Sequence, residues 1–540
     1  MTQQQTSAEP ILPPGPPGFP FEWEEQSDAE LSWEFDNMHA PNALAPLACD
    51  YMEGIAQGFA YRYERLETPF EVLGRIWHGY VYFAVRAGVP KDEESALYER
   101  MREGRRGLIR TTAEYWNRRA VPELRAAYAS IDAISTDGPD RDALAEGWET
   151  AWRLLERAWR IHFFVIAGAY QVLEDLADRY ESLTPDAAPG DALRLIQGRV
   201  DELQDVGDRM ERIVELARED AAAAEALRAG AYDELPQAGA FADEVTRFLE
   251  RHGHMGQGWD DLHLTSWSED PRPLYRDLAK QLDQRAERVA DRRQRLRDDG
   301  HRLLEDLRSR LADRPDELKD FETLFADARE IGPITETHNY WIDRMAQACI
   351  RRFVVRVGRR LVADAVIAAE DDVFYLRRAE VPGLIREPHD VSATIAERRR
   401  EHERQRDITP PPWVGQPPEE VSGRFDAPER QQDEAEEVRG AGASVGIVRG
   451  PARVTLSEAD FDHIQPGDVI VCPSSNPSWV PLFSIAAGLV TDTGGVLSHA
   501  AVVAREFGLP AVVGTRDGTT RIADGRMVEV NGSTGVVRLL

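Results

Sequence analysis

The feature that most constrains the fold is a break in composition at ITPPPWVGQPPEEVSGRFDAPERQQDEAEEVRGAGASVG (408–446). This stretch is rich in Pro, Gly and acidic residues and has few apolar positions. It cannot bury a core of its own and reads as a linker, stiff where prolines cluster and flexible near the Gly-Ala-Gly. Before it, apolar residues recur every three to four positions. After it, they come in short runs split by Gly, Pro and Asp. A chain of 540 residues is long for a single core, and the break says where it divides. The expected architecture is multi-domain: a disordered Pro-rich tail (1–20), a large, mostly α-helical domain (21–405), the linker (406–442) and a small α/β domain (443–540).

The helical period is clearest in GWETAWRLLERAWRIHFFVIAGAYQVLEDLADRY, where Trp148, Trp152, Leu155, Trp159, His162, Ile166 and Tyr170 form one broad stripe. A second long helix is expected over about 272–312, and a third from Tyr340 to Ala365. Beyond the linker, SVGIVRGPARVTL, DVIVCP, GLVTD, PAVVG, MVEVN and GVVRLL read as strands. One helix, 498–507, interrupts them.

Charge and residue usage narrow the function classes. With 96 acidic against 65 basic side chains the formal net charge is −31. Such a field repels phosphate backbones and anionic lipid, which disfavours nucleic-acid and membrane-surface roles. The three cysteines, Cys49, Cys349 and Cys472, are far apart and make neither a disulfide framework nor a metal knuckle. No run of 18 apolar residues occurs, and MTQQQTSAEPILPPGPPGFPF lacks the basic and apolar regions of a signal peptide, so a cytoplasmic location is expected. The only lysines are Lys91, Lys280 and Lys319, and none sits in a glycine-rich phosphate loop. No ATP site is evident in this chain.

The sharpest chemical candidate is His499, in GLVTDTGGVLSHAAVVAREFGLPAVVGT (488–515). Ser498 is a good N-cap type, which sets His499 in the first turn of a helix pinned to the sheet by Ala500, Val503 and Phe507. Unpaired backbone N–H groups and the helix dipole disfavour an imidazolium there. They favour a neutral imidazole that accepts a phosphoryl group, by about 0.3–1 kcal/mol for the resulting anion. Thr493 and the Gly494–Gly495 backbone can supply further donors, and glycines let a phosphate approach closely. Neutral histidine is a competent nucleophile near pH 7.

GGVLSHAAVVAREFGLPAVVG closely resembles the phosphohistidine signature of the swivelling domain in PEP synthase, pyruvate phosphate dikinase and their relatives. The resemblance covers essentially all of 444–540. It implies that His499 accepts the phosphoryl group, with Thr493, Gly494, Gly495, Ser498 and Arg505 matching the surrounding motif. FDNMHAPNALAPL (35–47), FLERHGHMGQGWDDLHLTSWSEDP (248–271) and NYWIDRMAQACIRRFVVRVGRRLVADAVIAAEDDVFYL (339–376) more weakly resemble the acceptor-binding half of rifampin phosphotransferase and the large subunit of phenylphosphate and 4-cresol-phosphate synthases. The latter place their ATP-binding part on a separate subunit. The resemblance therefore implies a partner ATP-grasp subunit that binds Mg2+ and ATP and passes the β-phosphoryl group to His499, releasing AMP and phosphate. The tethered domain then delivers it to a hydroxyl held by the helical domain.

Apolar stripes and the lack of a lysine cluster point to a small phenolic acceptor. Within RHGHMG, His254 is expected to be the acceptor base, with His252 or Asp261 orienting it, and Asp260 and His263 stand nearby. No metal site is expected there, since HxH with carboxylates lacks a third ligand at a fixed spacing. His338 is a further acceptor-site candidate. It and His39 lie in motif-like segments that suit structural roles as well, and His162 suits a core or pocket wall. Two rival readings stay open: a self-contained antibiotic phosphotransferase of the rifampin type, and a phosphocarrier that docks to partners without a small acceptor.

Overall fold

The structure is a computed structural model that describes residues 18–37, 39–66, 70–87, 91–187, 190–256, 261–283, 289–416, 436–475 and 479–540. It is a large helical body followed by a small α/β domain. Most of the expected tail (1–17), most of the expected linker (417–435), Asp260 and the middle of the expected 272–312 helix (284–288) lie outside the described residues.

The helical body is built round the spine helix Arg141–Leu183, capped by Asp140, whose carboxylate accepts the Ala143 N–H. The first half of the Trp stripe is core: Trp148, Trp152 and Leu155 are buried in one apolar cluster with Phe353 and Leu361 of the helix Met345–Ala363, the Trp148 and Phe353 rings 6.0 Å apart. This helix follows directly from Ile334–His338 and a π-helical stretch, Asn339–Arg344. The expected 272–312 helix is described as two, Arg272–Gln281 and Val289–Arg310. Among the described residues no helix is long and apolar enough to cross a membrane.

The body is mostly helical, as expected, and also carries a small sheet: β1 (Ser32–Phe35), β2 (Phe70–Trp77), β3 (Tyr80–Ala87) and β4 (Trp413–Gly415) pair in the order β2-β3-β1-β4. β2 and β3 are a hairpin turned at His78 and Gly79, both with positive φ, as a two-residue turn requires. β4 comes from the segment expected to be linker. The end of the tail is also ordered, because Phe19 is buried against an aromatic cluster with Trp33, Trp77 and Tyr82. These rings bury enough apolar surface to hold both segments.

The α/β domain starts earlier than expected, at β5 (Glu437–Arg439). It continues through β6 (Ala441–Ser444), β7 (Ile447–Val454), β8 (Val469–Cys472), β9 (Gly488–Thr491), β10 (Ala511–Val513), β11 (Met527–Asn531) and β12 (Val536–Leu539). The order is β5-β12-β11-β7-β8-β9-β10-β6. β7 to β10 are parallel, and β8, β9 and β10 are buried along their whole length, as strands covered on both faces should be. The helix His499–Glu506 is the crossover from β9 to β10. The loops after β8 and β9 therefore meet at the carboxyl ends of parallel strands, where open α/β sheets bind ligands.

The two parts are packed together. Leu203, Met210, Phe248 and Leu278 of the helical body share one apolar cluster with Phe461, Phe483 and Phe507 of the α/β domain.

A candidate phosphohistidine site between two domains

The α/β side is organised by the turn into the crossover helix. Ser498 caps it, its hydroxyl accepting the Ala501 N–H at 3.4 Å. Gly494 has φ +95°, and a Cβ there would stand 2.8 Å from Ser498 Oγ, so the turn demands glycine. The Thr493 hydroxyl donates to the Pro473 carbonyl at 2.9 Å, tying the β9 loop to the β8 loop. Ser474 and Ser475 of the β8 loop face the same space.

The helical side is organised by the π-helical stretch. Residues five apart are set about 140° round an α-helix, but i→i+5 hydrogen bonding brings them onto one face. His338 and Asp343 are five apart. Together with His162 of the spine helix they offer ligand or proton-accepting atoms within 4.8 Å of one another. His162 Nδ1 lies 2.9 Å from Asp343 Oδ1. His338 Nδ1–H donates to the Ile334 carbonyl at 2.6 Å, which turns Nε2 outward. Burial, then the neighbouring His162, push His338 down to about 3. Burial pushes the Asp343 carboxyl up, but the charge and hydrogen bond of His162, with His338 and His39 behind it, outweigh burial and hold it below the usual carboxylate range.

The two sides close on each other at His499. Its Nδ1 stands 2.7 Å from Glu336 Oε2, and both side chains are almost fully buried. Although it stands in the first turn of its helix, His499 is covered by the helical body. Around it lies a cavity of about 490 Å3. Phe59, Trp159, Phe163 and Ile166 give it apolar walls, Glu336, His338 and Asp343 one polar edge, and Thr493, Gly494, Ser498 and His499 the other. His39, paired through Nδ1 with Asp36 at 2.8 Å, lines it too.

A second contact locks the docked pose. Glu506, at the end of the crossover helix, accepts N–H bonds from Gly198 (2.8 Å), Arg199 (3.4 Å), Val200 (3.3 Å) and the Gln204 amide (2.9 Å). Burial raises its carboxyl above the ordinary range although these four donors oppose it.

The predicted residues divide accordingly. Thr493, Gly494, Ser498, His499 and His338 line the cavity. Gly495 supports the turn, its carbonyl accepting the Ser498 N–H. Arg505 is not at the cavity: it lies inside the interface, its Nη1 donating to the Ala443 carbonyl, and burial lowers it to about 10. The loop expected to hold the acceptor base is not brought there either. His252 is buried between Asp205 (2.9 Å) and the Tyr340 hydroxyl (3.0 Å), and burial lowers it to about 4 despite Asp205. His254 stands edge-on to the Tyr340 ring at 4.4 Å, and burial drives it well below the ordinary histidine range. Asp261 accepts the His263 N–H at 2.8 Å, and burial pushes its carboxyl up. These three are joints in the helical body. Sequence reasoning missed Glu336, Asp343, Ser474 and Ser475. Ser474 and Ser475 had a usable signal, since they follow closely on a strand next to the one leading to His499.

Residues 464–535 match the family described as PEP-utilising enzyme, mobile domain, and residues 161–334 match the rifampicin phosphotransferase fourth domain. A chondramide synthase of Chondromyces crocatus is 30% identical over 99% of this chain and 14% of its own length. The phosphotransferase YvkC of Bacillus subtilis is 29% identical over 56% of the chain and 36% of its own length. A rifampicin phosphotransferase of Streptomyces sviceus is 31% identical over 55% and 34%. The chain spans about a third of the length of these two phosphotransferases and a smaller part of the synthase. Residues 464–535 are thus similar to the mobile domain of PEP-utilising enzymes and residues 161–334 to the fourth domain of rifampicin phosphotransferase, and both stretches contribute to the walls of the His499 cavity.

Proposed function

We propose that the chain transfers a phosphoryl group from His499 to the hydroxyl of a small, phenol-type acceptor in the cavity. The observation that carries this reading is the contact of His499 Nδ1 with Glu336 at the mouth of a mostly apolar cavity formed by both domains. Because Nδ1 is engaged by the carboxylate, Nε2 is the nitrogen that carries phosphorus.

Glu336 then has a definite task. A phosphorylated imidazole leaves easily if Nδ1 is protonated, because it departs as neutral imidazole, and poorly if it must depart as imidazolate. The Glu336 carboxylate holds the proton on Nδ1, so docking activates the phosphohistidine. In the transfer step the acceptor oxygen attacks phosphorus, the P–Nε2 bond breaks with its electron pair returning to Nε2, and the acceptor proton passes to His39. Asp36 at Nδ1 orients His39 as that base. The aromatic walls hold a ring and exclude water. About 490 Å3 lies at the small end of ligand cavities, which favours an acceptor of one or two rings over the macrocycle that the relatives' name suggests.

The phosphoryl donor is read as Mg-ATP on a partner ATP-grasp subunit, which gives up its β-phosphoryl group and leaves AMP and phosphate. Neither Lys280 nor Lys319 lines the cavity, and no glycine-rich phosphate loop stands in the sequence. A chain that draws on ATP and carries three free, buried cysteines suits the cytoplasm.

Phosphoramidate, a small phosphoryl donor, tests the reading without the partner. It should place one acid-labile phosphoryl group on the chain, lost in His499→Ala, and phenols should discharge it faster than aliphatic alcohols of the same size. A label that stays on His499→Ala, or that no phenol discharges, would refute the proposal.

A further inference from the structure

We propose that His162, His338 and Asp343 bind one divalent transition-metal cation at the wall of the cavity, with an open position towards the acceptor. Two imidazoles and one carboxylate are a donor set typical of zinc and its neighbours rather than of Mg2+, which prefers oxygen alone. All three residues are at least nine-tenths buried, and their donor atoms lie within 4.8 Å of one another. Three protein ligands with a fourth position open to a cavity is the arrangement of a catalytic rather than a structural metal site.

Two independent details point to a ligand. Asp343 Oδ2 is buried without a hydrogen-bond partner among the described residues, although a buried carboxylate oxygen left unpaired is costly. A cation would complete it, replacing the proton now shared between Asp343 Oδ1 and His162 Nδ1. The second detail is the bond from His338 Nδ1–H to the Ile334 carbonyl. Metal-ligating histidines almost always give their other N–H to a carbonyl or carboxylate, which fixes the tautomer and aims the lone pair. Tetrahedral ligand bonds of about 2.0–2.2 Å require the widest donor spacing, at most 4.8 Å, to close to about 3.4 Å, a matter of side-chain rotations.

The cation-binding claim stands on this cluster alone. Its role rests on the acceptor reading above: a bound cation would polarise the acceptor oxygen and lower its pKa, leaving the proton for His39, and would face the incoming phosphoryl oxygens.

The test uses the full chain, stripped with a chelator and titrated with Co2+ alone. The expected result is one equivalent bound, with the visible d–d spectrum of a low-coordinate nitrogen–oxygen site, displaced by Zn2+. Asp343→Asn and His338→Gln should each weaken binding by about 100-fold or more, while His254→Gln, outside the cavity, should not. Circular dichroism and phosphoramidate labelling of His499 report whether each variant is folded. If wild type takes up no stoichiometric Co2+, or if binding survives both substitutions in folded protein, the site does not exist. Undiminished phosphoryl delivery by the metal-free chain would leave His162 and Asp343 as a proton-accepting pair and overturn the cation's role.

Discussion

Glu336→Gln isolates the one contact that joins the two domains at the reacting atom. The substitution keeps the shape of the side chain and an oxygen for the His499 Nδ1–H, now 2.7 Å from the carboxylate, but removes the charge. The lower bound on the loss is the gap between a charged and a neutral hydrogen bond, about 1 kcal/mol. The upper bound is the attraction of two unit charges about 4 Å apart at an effective dielectric of about 20, about 4 kcal/mol. At about 1.36 kcal/mol per pK unit, Nδ1 of the docked phosphohistidine loses one to three units of basicity. Delivery near neutral pH should fall by about 10- to 10³-fold, and its pH profile should turn down that many units earlier on the alkaline side. Loading should not change, because Glu336 belongs to the other domain and meets His499 only when docked. Single-turnover discharge of chain pre-labelled with phosphoramidate measures delivery, and the labelling rate measures loading. Spontaneous hydrolysis of the label gives a readout free of any acceptor and should slow as well. Equal delivery by wild type and variant with the same pH profile would refute the leaving-group argument, and so would a fall in loading as large as the fall in delivery.

Glu506→Gln should loosen docking: an amide presents N–H to two of the four donors, and since burial already disfavours the anion, the low end of about 1.5 kcal/mol per bond applies. The docked state should lose about 3 kcal/mol, visible as a wider interdomain distance by fluorescence transfer; an unchanged distance would argue that the apolar cluster alone holds the pose. Gly494→Ala forces an L side chain into φ +95° against Ser498 Oγ and should cost about 1–3 kcal/mol of domain stability, read as a lower melting temperature with His499 labelling reduced; wild-type stability would mean that the turn relaxes freely. Acid should destabilise the helical body through His252, held down to about 4, and His254. The unfolded chain takes up these protons below about pH 6.5 while the native one refuses them, so stability falls as pH falls, by up to about 1.4 kcal/mol per pH unit for each. His252→Gln should flatten the slope of urea midpoints between pH 6.5 and 4.5, and an unchanged slope would place the proton uptake elsewhere.

What the sequence disclosed, and what it hid, follows from how each part is built. His499 was legible because its surroundings are local: strand, Gly494–Gly495, the Ser498 cap and the crossover helix are contiguous, so one string specifies both the turn and its chemistry. The β2–β3 hairpin had a local signal too, a His-Gly pair between two alternating apolar runs, but the surrounding helical period masked it. The acceptor cavity had no such string. Its walls come from the segments around 36–59, 159–170 and 336–343, and only packing brings these together. The second half of the Trp stripe shows the limit: Trp159, His162 and Ile166 obey the same spacing as the buried Trp148 and Trp152, and periodicity cannot tell a core from the wall of a cavity.

The pairing of His338, itself a sequence candidate, with Asp343 was hidden for a sharper reason. Five residues is not a repeat of the α-helix, so a search for helical faces separates them. The π-helical turns at Asn339–Arg344 restore them to one face, and such turns are frequent at functional sites because they cost regular hydrogen bonding that only function compensates. His252, His254 and Asp261 misled by the same logic in reverse. Titratable groups crowded in a glycine-broken loop look reactive, yet His252 and His254 are buried, Asp261 is half-buried, and each is committed to a neighbour in the helical body. The residue that ties the account together is Glu336. Nothing in its own sequence context marks it, since its partner lies 163 positions away on another domain. It is defined only by docking, and that is why the delivery step, rather than the loading of His499, is where its loss should be felt.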